Sequence, residues 1–111
     1  MRRLLILPIL VLAALAVGVA PAAAKTRNVK IGDDYFVRNS GTPTVSVKKG
    51  TTVKWNFKGS DAHNVVVQSG PAHFQSPVKT NGSYKKKMKK KGTYKIICNI
   101  HAGMDMRLKV K

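Results

Sequence analysis

Acidic side chains are scarce in this sequence. Glutamate is absent, and Asp plus Glu number 4 against 21 Lys plus Arg, which gives a formal net charge of +17. There is a single cysteine, so an intramolecular disulfide scaffold is excluded. The length of 111 residues also excludes Rossmann and TIM-barrel enzymes, which need much longer chains. The chain is nevertheless 43% hydrophobic with regularly spaced valine and isoleucine, which excludes a disordered polyelectrolyte and indicates one folded domain.

The first 24 residues have the composition of a secretory signal peptide. Arg2 and Arg3 precede an uncharged apolar segment, and Ala22–Ala24 has the A-x-A pattern of a cleavage site. We therefore predict a signal peptide at 1–24 and a mature domain at 25–111. This domain is expected to be exported to the periplasm, the medium or the outer face of the cell envelope. Cleavage after Ala22, or retention of the segment as an uncleaved membrane anchor, are the alternatives.

The rest of the chain alternates apolar and polar residues with a period of two, which is typical of β-strands. Turns rich in Gly, Pro, Asn and Ser separate these segments. About seven such strands predict an all-β fold, a small Greek-key β-sandwich. The predicted strands include Val29–Ile31, Val45–Val47, Thr51–Phe57, His63–Gln68, Ser83–Lys89, Thr93–Cys98 and Arg107–Lys111, and the expected core includes Trp55, Phe57, Tyr94 and Ile96.

A set of soft donor side chains lies near the C terminus. Cys98 is followed by His101, and then by Met104 and Met106. Thiolate, imidazole and thioether together favour copper, because zinc seldom takes a thioether and calcium and magnesium prefer oxygen. One loop cannot close such a site alone without strain, and His63, after a polar turn, is the best-placed second imidazole. Two His, one Cys and a weak axial Met are typical of a type 1, or blue, copper electron-transfer site.

These motifs resemble those of the cupredoxin family, in particular the small bacterial plastocyanin-, amicyanin- and pseudoazurin-like proteins. The resemblance covers nearly all of residues 25–111 and is carried by Val47–Trp55, Ala62–Val65, Gly92–Tyr94 and Cys98–Met104. It implies a cupredoxin β-sandwich in which His63, Cys98 and His101 are the equatorial copper ligands. It also implies that Asn64 ties the two ligand loops together by hydrogen bonds.

Two methionines are candidates for the axial ligand. In amicyanin-like loops the Met follows the His by three residues, which corresponds to Met104. In plastocyanin- and pseudoazurin-like loops it follows by five, which corresponds to Met106. In the family, apolar strand residues stand four and six positions after the ligand Met, and Leu108 and Val110 fit that offset from Met104. Met104 is therefore the expected axial ligand, and Met106 is the alternative.

The basic run Lys85–Lys91 has two interpretations. Lysines on a hairpin edge are often only solvated, and they block edge-to-edge aggregation. They could instead dock the acidic surface of a protein redox partner, or an anionic envelope surface. Nucleic acid is disfavoured as a partner, because no aromatic residues are interleaved with the lysines and an exported chain meets little of it. His73 is expected at the surface or in packing, and a role as a rival ligand is the less favoured interpretation.

The leading functional hypothesis is an exported, monomeric cupredoxin that binds one type 1 copper ion and shuttles single electrons. An enzyme is not expected, because a shell of four protein ligands leaves no open position for a substrate. The same ligands would also suit a copper carrier or buffer in the envelope. A copper-free basic protein that binds polyanions is the third hypothesis.

Overall fold

Eight β-strands in two four-stranded sheets make up residues 25–111, the part of the chain that the computed structural model describes. The predicted signal peptide, residues 1–24, lies outside the described residues. The strands are β1 (Thr26–Gly32), β2 (Tyr35–Phe36), β3 (Thr44–Val47), β4 (Thr52–Phe57), β5 (Val66–Ser69), β6 (Ser83–Lys87), β7 (Gly92–Ile97) and β8 (Asp105–Val110). The described residues contain no α-helix, and so none that is long and apolar enough to cross a membrane.

The all-β prediction is confirmed, with one strand more than the sequence pattern indicates. The additional strand is β2, which has only two residues and is therefore too short to produce a recognisable alternation. It pairs antiparallel with the end of β1, through Ile31 opposite Phe36 and Gly32 opposite Tyr35. A tight turn that carries Asp33 and Asp34 results between the two strands.

Strands that are distant in sequence are neighbours in both sheets. The first sheet has the order β2-β1-β4-β6 and the second has the order β3-β8-β7-β5. The pairs β1–β4 and β3–β8 are parallel, and the other pairs are antiparallel. The chain therefore crosses between the sheets repeatedly, and the β4–β5 and β7–β8 connections come together at one end of the sandwich.

The core lies between the two sheets and follows from the period-two pattern, because successive strand residues point to opposite faces. In β4, Val53, Trp55 and Phe57 are buried, whereas the intervening residues are only partly so. Tyr94 and Ile96 of β7 are fully buried, so the expected core residues are confirmed. Burial raises the pKa of the Tyr94 hydroxyl, which donates a hydrogen bond of 2.7 Å to a backbone carbonyl.

The segment that leads into β5 differs from the prediction. The apolar pattern predicts a strand over His63–Gln68, but β5 begins at Val66. His63 instead forms an isolated bridge with Lys79, through two backbone hydrogen bonds of 2.9 Å. The pattern correctly indicates an extended backbone at His63. This part of the segment pairs with an irregular connection rather than with a strand, so it forms one isolated bridge instead of a longer β-ladder.

Candidate metal centre

The loop between β7 and β8 carries three of the predicted ligands. Cys98 directly follows β7, and Met104 directly precedes β8. The N–H of Cys98 donates to the carbonyl of Met104 at 3.0 Å, and the N–H of Met104 donates to the carbonyl of His101 at 3.3 Å. Gly103 has a φ of 78°, a left-handed conformation that glycine adopts without steric cost. The loop is therefore closed by its own backbone, which fixes its side chains relative to the sheet.

His63 approaches this loop from the β4–β5 connection. Its backbone N–H and C=O both form hydrogen bonds with the backbone of Lys79, and its side chain is fully buried. The rings of His63 and His101 have centroids 4.6 Å apart. The two predicted imidazoles thus come from separate parts of the chain and meet at the same point.

The donor atoms of His63, Cys98 and His101 form a small triangle. The two Nδ1 atoms are 3.1 Å apart, and the Cys98 Sγ lies 3.5 Å from Nδ1 of His101 and 4.0 Å from Nδ1 of His63. Imidazole and thiolate donors bind metal ions at about 2.0–2.3 Å, so the donors of a trigonal plane are about 3.5–3.8 Å apart. The triangle therefore fits one metal ion, and a thiolate with two imidazoles suits copper.

The two candidate methionines are both buried but occupy different positions. Met104 belongs to the loop and lines the same surface cavity as Cys98 and His101. Met106 lies on β8 opposite Ile96, on the buried face of that strand. Both side chains belong to the buried core, and Met104 differs in that its backbone is hydrogen-bonded to Cys98 and His101 within the ligand loop.

Asn64 links the two connections that carry the histidines. Its Nδ2 donates to Oδ1 of Asn99 at 2.8 Å, and its Oδ1 accepts the backbone N–H of Asn99 at 3.0 Å. Asn64 is buried whereas Asn99 is exposed, so the two bonds are partly shielded from water. The reciprocal pair holds the segment next to His63 against the residue next to Cys98.

Two carboxylates that the sequence did not single out lie against the histidines. Asp33 Oδ1 is 3.4 Å from Nε2 of His63, and Asp34 Oδ1 is 3.4 Å from Nε2 of His101. The pKa of the Asp33 carboxyl is lowered, chiefly by a hydrogen bond from the N–H of Asp61. No local signal identifies these contacts, because Asp33 and His63 are separated by 30 residues. Only the pairing of β1 with β2 brings the turn to this place.

The four acidic residues of the chain lie at the end of the sandwich that carries the donor triangle. Asp33 and Asp34 contact the imidazoles, and the carboxylate of Asp61 lies within 4.8 Å of ligand atoms of Asp34 and His101. Asp105 lines the cavity next to the loop. All four carboxylates of the chain are therefore concentrated at this end, although the chain as a whole carries +17. His73 is exposed and lies outside the triangle, as expected.

Comparison with known proteins agrees with this geometry. Residues 27–111 match the family described as copper binding proteins of the plastocyanin/azurin family. The chain is 31% identical to plastocyanin of Prochlorothrix hollandica, with 90% of this chain and 82% of that protein covered. It is 35% identical to amicyanin-alpha of Methylorubrum extorquens, with 89% and 87% covered. A mutant of amicyanin in its Cu(I) form superposes with a TM-score of 0.67 at 28% identity, over 81% of this chain and 86% of that chain.

Proposed function

Because this chain belongs to the plastocyanin/azurin family of copper-binding proteins, we propose that it is a type 1 copper protein that carries single electrons between redox partners. Members of this family are blue copper electron-transfer proteins. The observation that carries the proposal is the triangle of two imidazole nitrogens and one thiolate sulfur, all within 4.8 Å of one another. With Met104 as a fourth protein donor no position would be left open for a substrate, which favours an electron carrier over an enzyme.

In this proposal His63, Cys98, His101 and Met104 would hold the copper ion, with Met104 as the weak fourth donor. Bound copper would supply a one-electron couple. Donors held at fixed positions would suit both valence states. The backbone of Lys79 clamps His63, and the ligand loop is closed by its own hydrogen bonds. Little rearrangement is then needed when an electron arrives or leaves.

His101 is the proposed route for electrons into and out of the centre. Its side chain is 26% exposed, whereas that of His63 is only 1% exposed. The neighbouring Ile100 is 48% exposed and gives the surface near this histidine an apolar character. In the proposal a partner approaches over this apolar residue, which keeps the distance for electron transfer short.

The exposed lysines of the run Lys85–Lys91 support long-range attraction of an acidic partner. They lie toward the end of the sandwich opposite the donor triangle, because Lys87 pairs with Thr52 at the start of β4. Six of the seven residues are exposed lysines, and only Met88 is buried. The run begins on the edge strand β6, so its charges face solvent rather than another strand. If the lysines steer a partner, electron exchange with it should slow as ionic strength rises, because the Debye length falls from about 10 Å at 0.1 M to about 3 Å at 1 M. An electron-exchange rate that does not depend on salt would indicate that the lysines do not steer a partner and only keep the sheet edge solvated.

Export is part of the same proposal. The charged start, apolar segment and small-residue end of residues 1–24 support a cleaved signal peptide. The intact mass of the protein recovered from the periplasmic or secreted fraction would locate the cut and distinguish a cleaved from an anchored form.

The experiment that tests the proposed function is the absorption and EPR spectrum of the protein loaded with Cu(II), followed by voltammetry. We expect an intense blue or green thiolate-to-copper absorption and a reversible one-electron wave. A folded sample that stays colourless with Cu(II) would refute the type 1 site. A coloured sample that exchanges electrons slowly but readily passes copper to another protein would favour copper delivery instead.

Replacing Met104 by alanine should change the optical spectrum and the reduction potential more than replacing Met106 by alanine. We expect Met104→Ala to change the Cu(II)-to-Cu(I) affinity ratio by about tenfold, which corresponds to about 59 mV. Both replacements empty a buried position, so each should cost about 2–5 kcal/mol of stability. Voltammetry and the absorption spectrum of the two variants therefore distinguish the ligand, and thermal unfolding shows that both remain folded. A larger spectroscopic change in Met106→Ala would reverse the choice of axial ligand.

A further inference from the structure

The turn between β1 and β2 carries two consecutive carboxylates, and each reaches a different histidine of the centre. Asp33 Oδ1 lies 3.4 Å from Nε2 of His63, and Asp34 Oδ1 lies 3.4 Å from Nε2 of His101. The Nδ1 atoms of the same rings lie within 4.0 Å of Cys98 Sγ. Each imidazole therefore has a carboxylate beside one nitrogen and the thiolate beside the other.

Asp33 is held in place by more than its histidine. Its Oδ1 also accepts the backbone N–H groups of Ser60, at 2.8 Å, and Asp61, at 3.0 Å. This single oxygen thus ties the β1–β2 turn to the segment that leads into His63. Gly59 allows the close approach, because a Cβ at that position would overlap the Asp33 carboxylate. Asp33 is therefore part of a fixed contact between two segments rather than a freely moving surface group.

We propose that Asp33 is a positioning residue for the copper centre, which keeps the imidazole proton of His63 on Nε2 and leaves Nδ1 free to bind copper. This inference rests on the proposed function. When one ring nitrogen of a histidine donates a hydrogen bond, the other ring nitrogen is left unprotonated and can bind a metal. Donation to a carboxylate also makes the ring a stronger ligand. A stronger ligand with negative charge nearby favours Cu(II) over Cu(I), because the ion with the larger charge gains more from both.

The neighbouring carboxylate provides an internal comparison. The Asp34 and His101 side chains are 64% and 26% exposed, against 45% and 1% for Asp33 and His63, so water reaches the Asp34–His101 contact from both partners. His63 is 1% exposed, and Asp33 is its only partner at Nε2 among the described residues. The same chemical change should therefore have a larger effect at Asp33 than at Asp34.

The first test compares the reduction potentials of three copper-loaded variants, Asp33→Asn, Asp34→Asn and Asp105→Asn. Asparagine at position 33 keeps an oxygen that can accept the N–H groups of Ser60 and Asp61, but it removes the charge. We expect the Cu(II)-to-Cu(I) affinity ratio to fall about tenfold in Asp33→Asn, equivalent to a rise in potential of about 59 mV. The shift should be smaller in Asp34→Asn. It should be smallest in Asp105→Asn, because that carboxylate accepts from Thr42 and contacts neither imidazole.

The second test uses the copper-free protein and reads the ring ¹⁵N shifts of His63 at a pH where the imidazole is neutral. The wild-type ring should be a single Nε2–H tautomer, and Asp33→Ala, which removes the oxygen that faces Nε2, should populate both tautomers. Equal potential shifts in the three asparagine variants, or an unchanged tautomer in Asp33→Ala, would overturn the positioning role. A wild-type protein that stays colourless with Cu(II) would refute the proposed function, whereas the tautomer measurement would still decide what Asp33 does.

Discussion

Replacing Cys98 by serine is expected to abolish the thiolate-to-copper colour completely and to weaken copper binding by more than about 100-fold. Loss of a hydrogen-bonding partner behind a metal ligand already costs about 10–100-fold in affinity, and loss of the ligand itself should cost more. Serine offers a neutral hydroxyl in place of a soft thiolate, so Cu(I) loses its preferred donor. Absorption at a fixed copper-to-protein ratio measures the colour, and competition with a chelator of known affinity measures the binding.

The serine variant should remain folded, which makes its result interpretable. Serine is close to cysteine in size, and burial of its hydroxyl at this 2%-exposed position should cost about 1–3 kcal/mol. Replacing the exposed His73 by alanine is the matched control, since this histidine lies outside the donor triangle. Retention of the colour in the serine variant, or its loss in His73→Ala, would show that copper binds elsewhere.

Replacing Asn64 by alanine should lower the stability of the copper-free protein by about 1–3 kcal/mol, because it removes both hydrogen bonds to Asn99. For a domain of this size each kcal/mol corresponds to a fall of about 4–8 °C in Tm. The two connections that carry His63 and Cys98 would also lose the link between them, so the copper spectrum should broaden or shift. Calorimetry of the copper-free form and the absorption spectrum of the loaded form check the two effects.

Asn28→Ala is the control for this prediction. Asn28 also accepts a hydrogen bond from another asparagine, Asn56, but the pair is exposed on the outer face of the first sheet. Its removal should change the free energy of unfolding by no more than about 0.5 kcal/mol and leave the spectrum unaltered. If both variants lose the same stability and Asn64→Ala keeps the wild-type spectrum, Asn64 does not hold the two connections together.

The sequence predicts the fold class because each strand has one buried face. A period of two places Val53, Trp55 and Phe57 on the same side of β4. The order of apolar and polar residues therefore indicates which face of the strand lies in the core. The same reasoning fails for β2, which has two residues, and for the start of β5, where pairing depends on a distant irregular segment. Local patterns indicate an extended backbone, but they do not indicate its partner.

The chemistry of the candidate site is also present in the sequence. A lone cysteine followed by a histidine and a methionine within one loop limits the suitable metals by donor softness alone, and these donors are brought close by the loop itself. The sequence by itself therefore determined an all-β domain with soft donors in one loop.

Only the tertiary structure decided which distant groups face that loop. The crossing of the chain between two sheets brings His63 within 4.0 Å of Cys98 Sγ, although 35 residues separate them. The same crossing sets Asp33 against His63, and it places Met104 in the ligand loop and Met106 on β8. Contacts of this kind depend on strand pairing over long sequence separations. Those pairings are selected by burial of the whole core, which no local pattern contains.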